Sequence, residues 1–279
     1  MTARELERAN LDNLTSLWRR MGTRADAVLG RIGAHASRSW PHRWWLEPNR
    51  QTDVEEDSYL DDTLDDFVAL VPPGSVVPVW LQNRGRFRAF ETKLVEAGFV
   101  RDLDQTAMVL NLNEGASNNA DGAAASALGE LGSDARPSIA LTPIEEGLDL
   151  SHPEGELACR SWSELCSRAF GYKINVEVIA DIAADIDLGM YLARWEERAA
   201  GTALTWDHHG VVGIHQLGVA PEMRSRGIAR TMTVRLLEIC RASSARYVTL
   251  QASDAGAGIY RSLGFREQFT IRNYRRPRN

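Results

Sequence analysis

The stretch APEMRSRGIARTMTVRLL, residues 220–237, decides how the chain is read. Arg224 and Arg226 flank Ser225 and abut Gly227. An apolar stripe at Ile228, Met232, Leu236 and Ile239 then recurs at helical spacing, which pins a helix against a sheet. Arginines this close repel each other unless an anion lies between them. Glycine at a strand-to-helix junction lets the backbone approach that anion closely. The free N–H groups of a first helical turn, with the helix dipole, favour negative charge at the same point. The expectation is a phosphate held between the two arginines. The chain contains neither GxxxxGK[ST] nor GxGxxG, so a P-loop and a dinucleotide fingerprint are both excluded.

Outward from this stretch, the elements alternate. Strands are expected over 138–144, 187–195, 199–208, 210–220 and 246–252, with a last one near QFTIRNYR (268–275). Helices are expected over 161–172, from Gly227 onward, and through Tyr260. This is a mixed α/β sheet with a strand–helix–strand crossover across 210–252. In the first half, Leu6, Leu11, Leu14, Leu17 and Trp18 predict an amphipathic helix over 1–20. SWPHRWW (39–45) is a dense aromatic-basic patch. SVVPVWLQ (75–82) reads as a strand with Pro78 at an edge or bulge. A helix over 87–99 ends at Gly98, and a strand closes over 105–112. Residues 113–138 are small and polar and bury too little surface to order themselves, so a linker is placed there. KLVEAGFVRDLDQTAMVLNL and YRSLGFREQFTIRNYRR share one pattern, helix, Gly-Phe, polar step and strand, which hints at a duplication.

Composition narrows the class. The 279 residues are 44% hydrophobic and 25% charged, ordinary for one large domain or two modest ones. A net charge of −6 argues against general affinity for nucleic acid. Cys159, Cys166 and Cys240 form no CxxC pair, the first residues hold no apolar signal region, and no run suits a membrane span. A cytoplasmic protein without membrane partners is expected.

Arg224-Ser225-Arg226-Gly227-Ile228-Ala229 matches the Q/R-x-x-G-x-G/A signature of the GNAT superfamily of N-acetyltransferases, which the chain resembles over roughly residues 137–279. HQLGVAP precedes the loop as the family's strand does, and SDAGAGIYRSLGF (253–265) is similar to its second motif. The resemblance implies a mixed, mostly antiparallel twisted sheet flanked by helices. It divides the chain into a degenerate, truncated copy of the fold (1–115), a flexible linker (116–136) and a catalytic domain (137–279). It also implies acetyl-CoA as co-substrate. The cofactor would be held by Leu217, Gly218 and Val219 on the strand and by Arg224, Ser225, Arg226, Gly227, Ile228, Ala229 and Arg230 on the loop. Ser253 stands where the family commonly has Asn.

Acetyl transfer to an amine needs a held cofactor, a neutral amine, a polarised carbonyl and a proton for the leaving thiolate. An amine of pKa ~10.4 must lose a proton first. The N–H of Val219 or Leu217 would polarise the carbonyl. Tyr260 occupies the place of the family's general acid, with a core aromatic as the alternative. His215, at ~6.5 unperturbed, suits the amine proton, with a structural strand histidine as the alternative. Asp207, His208 and His209 read first as a solvated hairpin turn, second as an extension of the proton path, and lack the spacing of a metal site. Trp162, Phe170, Tyr172 and Trp206 would wall a substrate pocket or belong to the core. The acidic run 53–66 reads first as a solvated helix, second as a lure for a cation. The expected activity is an acyltransferase of class EC 2.3.1, acting on a primary amine of a small molecule by direct attack in a ternary complex, as a monomer or a homodimer. The alternatives are acetylation of a protein lysine or N-terminus, and a non-catalytic acyl-CoA-binding module. No metal is expected.

Overall fold

The computed structural model describes residues 1–24, 26–47, 57–80, 87–113, 140–143, 153–195, 198–243 and 245–278, with backbone alone at 57–62, 87, 140–143 and 153–154. They fall into two compact units that interleave along the chain. The first comprises Met1–Ala107, Gln251–Ala255 and Glu267–Asn279; the second comprises Met108–Leu250 and Gly256–Arg266. The expected linker over 116–136 lies outside the described residues.

The first unit opens with α1 (Ala3–Arg20). Thr2 and Glu5 close a capping box: the Glu5 amide donates to Thr2 Oγ1 at 3.3 Å and the Thr2 amide to Glu5 Oε2 at 2.7 Å. The helix buries Leu11, Leu14, Leu17 and Trp18, as their spacing predicts. It also buries Asn10 and Asn13. Asn10 is satisfied by two glutamines, donating to Gln268 Oε1 at 2.6 Å and accepting from Gln251 Nε2 at 2.8 Å. After α2 (Ala27–Ile32) come β1 (Ala34–Ala36) and β2 (Trp44–Leu46), which pair antiparallel. The tryptophans of the aromatic-basic patch SWPHRWW are core. Trp40, Trp44 and Trp45 are all buried, and Trp45 and Trp80 lie 5.3 and 6.0 Å from the Trp18 ring. Arg43 stacks over Trp18 at 5.6 Å and donates to Asn273 Oδ1 at 2.5 Å.

α3 (Asp57–Leu70) carries most of the acidic run. It buries Leu64, Phe67 and Val68 and exposes Asp65 and Asp66, the solvated helix expected; residues 53–56 lie outside the description. β3 (Val76–Trp80), α4 (Phe87–Glu96) and β4 (Val100–Asn111) follow. Within this unit β3 lies at an edge, beside β10 (Arg266–Arg275). Pro78, opposite Asn273, is therefore tolerated without an N–H to donate.

The second unit is a mostly antiparallel sheet with helices on both faces. Its strands are β5 (Ala140–Pro143), β6 (Leu188–Trp195), β7 (Arg198–His208), β8 (Val211–Val219) and β9 (Tyr247–Ser253), in that spatial order. Residues 108–111 of β4 come next after β9, and the Leu112 amide donates to the Arg246 carbonyl at 3.0 Å. β5 through β8 pair antiparallel; β8 and β9 pair parallel across the expected crossover. On one face lies α5 (Pro153–Phe170), which buries Cys159, Trp162, Cys166 and Ala169 at helical spacing. α6 (Val176–Ala183) packs beside it, N-capped by Asn175. On the other face lies α7 (Ile228–Ala242). α8 (Asp254–Ser262) leads into β10. Two glycines allow close contact with the sheet. A Cβ at Gly201 would lie 2.7 Å from Met232 Sδ, and one at Gly218 would lie 2.7 Å from the Phe170 ring.

Candidate functional site

The site forms where β8 loses its regularity. Gln216 has φ +48°, and the β7 register slips there, Thr202 facing Gly218 while Leu204 faces His215. An extra residue on one strand raises twist and bends it. Thr202 Oγ1 holds the bulge by donating to the Gln216 carbonyl at 3.2 Å, and the Cys166 thiol reaches Gln216 Oε1 at 3.5 Å. The parallel pairing with β9 ends at Ile214 opposite Leu250. Past that point the side of β8 away from β7 carries no strand pairing among the described residues of 215–219.

A single 3-10 turn, Pro221–Met223, then leads into the loop. Ser225 (φ +60°) and Gly227 (φ +79°) are both left-handed. Successive turns of this kind tilt backbone N–H groups into one concavity, which suits an anion. Gly227 is the N-cap of α7 and offers no side-chain cap. A Cβ there would meet no protein atom within 4 Å, so the glycine serves the backbone angle and leaves the mouth of the loop open. The first regular backbone bond runs from the Thr231 amide to the Gly227 carbonyl at 3.0 Å. The amides of Ile228, Ala229 and Arg230 find no acceptor among the described residues. Three uncapped donors at the positive end of a 15-residue helix are a fitting cradle for a phosphate.

The arginines do not act as the sequence suggested. Arg224 turns to α5, donating to the Ala169 carbonyl at 2.7 Å and the Val219 carbonyl at 3.3 Å, where it caps that helix. Arg226 stacks over Trp195 with its guanidinium carbon 4.7 Å from the ring centroid. Arg230 donates to Ser262 Oγ at 2.7 Å. The two close arginines avoid repulsion by reaching different partners.

Tyr260 sits in α8 with its ring edge-on to Phe265, centroids 5.7 Å apart. Burial pushes its phenol up to about 12. The hydroxyl has no hydrogen-bond partner among the described residues. His215 is buried on β8. Leu217 and Val219 are half-buried, and Gly218 is covered by Phe170. Ser253 is exposed at the end of β9 and groups with the first unit.

The expected substrate wall divides. Trp162 is wholly buried and donates from Nε1 to the Tyr191 carbonyl at 2.9 Å, and Trp206 is buried in β7; both are core, not wall. Phe170 and Tyr172 remain exposed, 5.8 Å apart at the end of α5. A shallow groove of about 560 Å³ runs along α5 beside Arg160, Glu164, Arg168 and Lys173, and none of the four expected wall residues lines it. Asp207, His208 and His209 make the hairpin turn: His209 (φ +55°) and Gly210 (φ +76°) are left-handed, and the Gly210 amide donates to Asp207 Oδ1 at 3.0 Å. Among the described residues no His, Cys, Asp and Glu group is placed to hold a metal. The three cysteines are free and buried, and burial drives the Cys166 and Cys240 thiols up to about 12, far from a nucleophile's range. No described helix is long and apolar enough to cross a membrane.

The bulged strand β8, the uncapped start of α7 and the half-buried Tyr260 thus come together in the second unit. Residues 156–265 match the model of the Acetyltransferase (GNAT) family. No curated protein matches. Among solved structures the chain is similar to a GCN5-related N-acetyltransferase from Sphaerobacter thermophilus, at 18% identity and TM-score 0.54 over 87% of this chain and 76% of that one. It is also similar to a GCN5-related N-acetyltransferase from Kribbella flavida, at 16% identity and TM-score 0.53 over 85% and 82%. A tandem GNAT protein from the clavulanic acid biosynthesis pathway matches at 12% identity and TM-score 0.52 over 86% and 77%. At these identities the likeness shows the fold. The sequence offered no signal for Trp195 or Gln216, because a stack between segments distant in the chain and a strand bulge leave no local pattern.

Proposed function

We propose that the chain is an N-acetyltransferase that moves the acetyl group of acetyl-CoA to a primary amine of a small molecule. The observation that carries this reading is the uncapped start of α7: three backbone donors with no acceptor, behind a left-handed glycine that no side chain fills. When bound, the cofactor supplies an acyl group activated as a thioester. The amides of Ile228, Ala229 and Arg230 hold its pyrophosphate. The unpaired edge of β8 at Leu217 and Val219 orients the acyl arm and offers an N–H to the carbonyl oxygen. His215 receives the proton that the amine must lose. Tyr260 remains protonated at every physiological pH. Its phenol holds its proton more tightly than an ordinary thiol of pKa ~8.5, so it stabilises sulfur by donating a hydrogen bond as charge develops. Phe170 and Tyr172 offer an exposed aromatic edge for an apolar or cationic acceptor. The first unit is a worn second copy of the fold that carries no cofactor. In its support, the helix–Gly–Phe–strand pattern recurs there, and a tandem GNAT protein shares the fold over most of the chain.

The test is thiol release from acetyl-CoA across a panel of small primary amines, read against Tyr260→Phe and His215→Gln. Each substitution should lower turnover by about 10²-fold or more while acetyl-CoA still binds. Undiminished turnover in both variants would remove the mechanism. Absence of acetyl-CoA binding to the wild type would remove the reading itself.

A further inference from the structure

The loop arginines differ in what they have left to offer. Arg224 is committed to two carbonyls and Arg230 to Ser262. Arg226 is exposed, forms no ion pair or hydrogen bond among the described residues, and lies flat on Trp195. Stacking occupies the face of a guanidinium and leaves its in-plane N–H fork free. It also fixes the fork in advance, so less freedom is lost when a ligand arrives. Trp195 ends β6, which is separated from β8 by β7.

We propose that Arg226, held on Trp195, is the clamp for the 3′-phosphate of coenzyme A. This rests on reading the α7 start as a coenzyme A site. The molecule carries phosphate at two places. Its pyrophosphate suits the backbone amides of the loop. Its 3′-phosphate stands off on the ribose as a terminal monoester with three free oxygens, the shape and charge that a bidentate arginine fork matches. With the loop amides on the first place, a preoriented fork with its N–H groups unspent among the described residues fits the second.

The test is calorimetric titration of wild type, Arg226→Gln and Trp195→Phe with coenzyme A and with 3′-dephospho-coenzyme A. The wild type should prefer coenzyme A by about tenfold or more, the scale of one charge-assisted pair. Arg226→Gln should bring coenzyme A to within about twofold of the dephospho form and leave the latter's affinity unchanged. Trp195→Phe keeps a ring under the guanidinium and should keep most of the preference. Equal loss for both ligands in Arg226→Gln would place the arginine on the pyrophosphate and overturn the proposal, as would a wild type without preference. If the wild type binds neither ligand, the cofactor reading fails before this one is reached.

Discussion

Two segments of the molecule share one local design. In α4–β4 the Gly98 amide donates to the Val95 carbonyl at 2.9 Å and the Phe99 amide to the Leu94 carbonyl at 2.9 Å. In α8–β10 the Gly264 amide donates to the Arg261 carbonyl at 3.0 Å and the Phe265 amide to the Tyr260 carbonyl at 3.1 Å. Both glycines are left-handed, at φ +82° and +89°, and both phenylalanines are buried. Each helix thus ends in the same αL turn, with the following Phe anchoring the next strand. The difference lies five residues before the Phe. The first segment has Leu94, wholly buried; the second has Tyr260, whose hydroxyl is without a partner among the described residues. The shared part is what builds the fold. The divergent part is what could do chemistry.

The largest way to break this comparison is to cut the halves apart. Residues 108–111 belong to the second unit and residues 267–279 to the first, so neither sequence half contains a whole unit. A fragment of residues 137–279 would expose β9 where β4 should pair. It is expected to show no cooperative melt by circular dichroism, whereas a cooperative melt would mean that the second copy is self-sufficient. Exchanging the divergent residues comes next. Leu94→Tyr forces a larger polar ring into a closed core and should destabilise by about 1–3 kcal/mol in urea melts, without creating activity. Tyr260→Phe should leave stability nearly unchanged and remove turnover.

Arg224→Ala tests the revised role of the loop. Losing the cap on α5 should lower stability by about 1 kcal/mol, because the group is largely exposed, while acetyl-CoA affinity stays within about twofold. A large loss of affinity would return Arg224 to the phosphate. The smallest expected effect is alkaline. The folded-state value of Tyr260 rises from 10.0 to about 12, so its stabilising share is whole below pH 10 and lost as pH rises through 12. Stability should fall with pH in that window, and Tyr260→Phe should soften the fall. Cys166 and Cys240 add to the same decline from pH 9 upward, since burial lifts both thiols from 9.0 to about 12.

Much of the architecture was legible because local chemistry decides it. Gly98 and Gly264 end helices where only a positive φ continues the chain, and Leu11, Leu14 and Leu17 face the core at helical spacing. Val176–Ala183 was not legible: VEVIADIA is rich in β-branched residues, and it is Asn175, accepting from Glu177 and Val178 amides at 2.9 and 3.3 Å, together with packing on α5, that makes it a helix. The motif located the loop but not its side chains. Nothing within residues 224–226 reveals that one arginine caps a helix 55 positions away and its neighbour rests on Trp195. Trp162 and Trp206 matched the composition of a pocket wall, yet burial depends on long-range packing, and both are core.

The measurement that tests the central claim most directly is thermal unfolding of wild type and Ala229→Glu, each with and without acetyl-CoA. A carboxylate in the first turn of α7 favours the helix dipole and should leave the ligand-free protein as stable or slightly more stable. The same charge lies where a phosphate must bind. At ~100 times its dissociation constant acetyl-CoA should add roughly 2.7 kcal/mol to the wild type and raise its melting temperature by a few degrees. The variant should melt at or above the ligand-free wild type and show no shift with acetyl-CoA. An equal shift in both proteins would contradict the account, because the amides of Ile228, Ala229 and Arg230 would then not be the phosphate cradle.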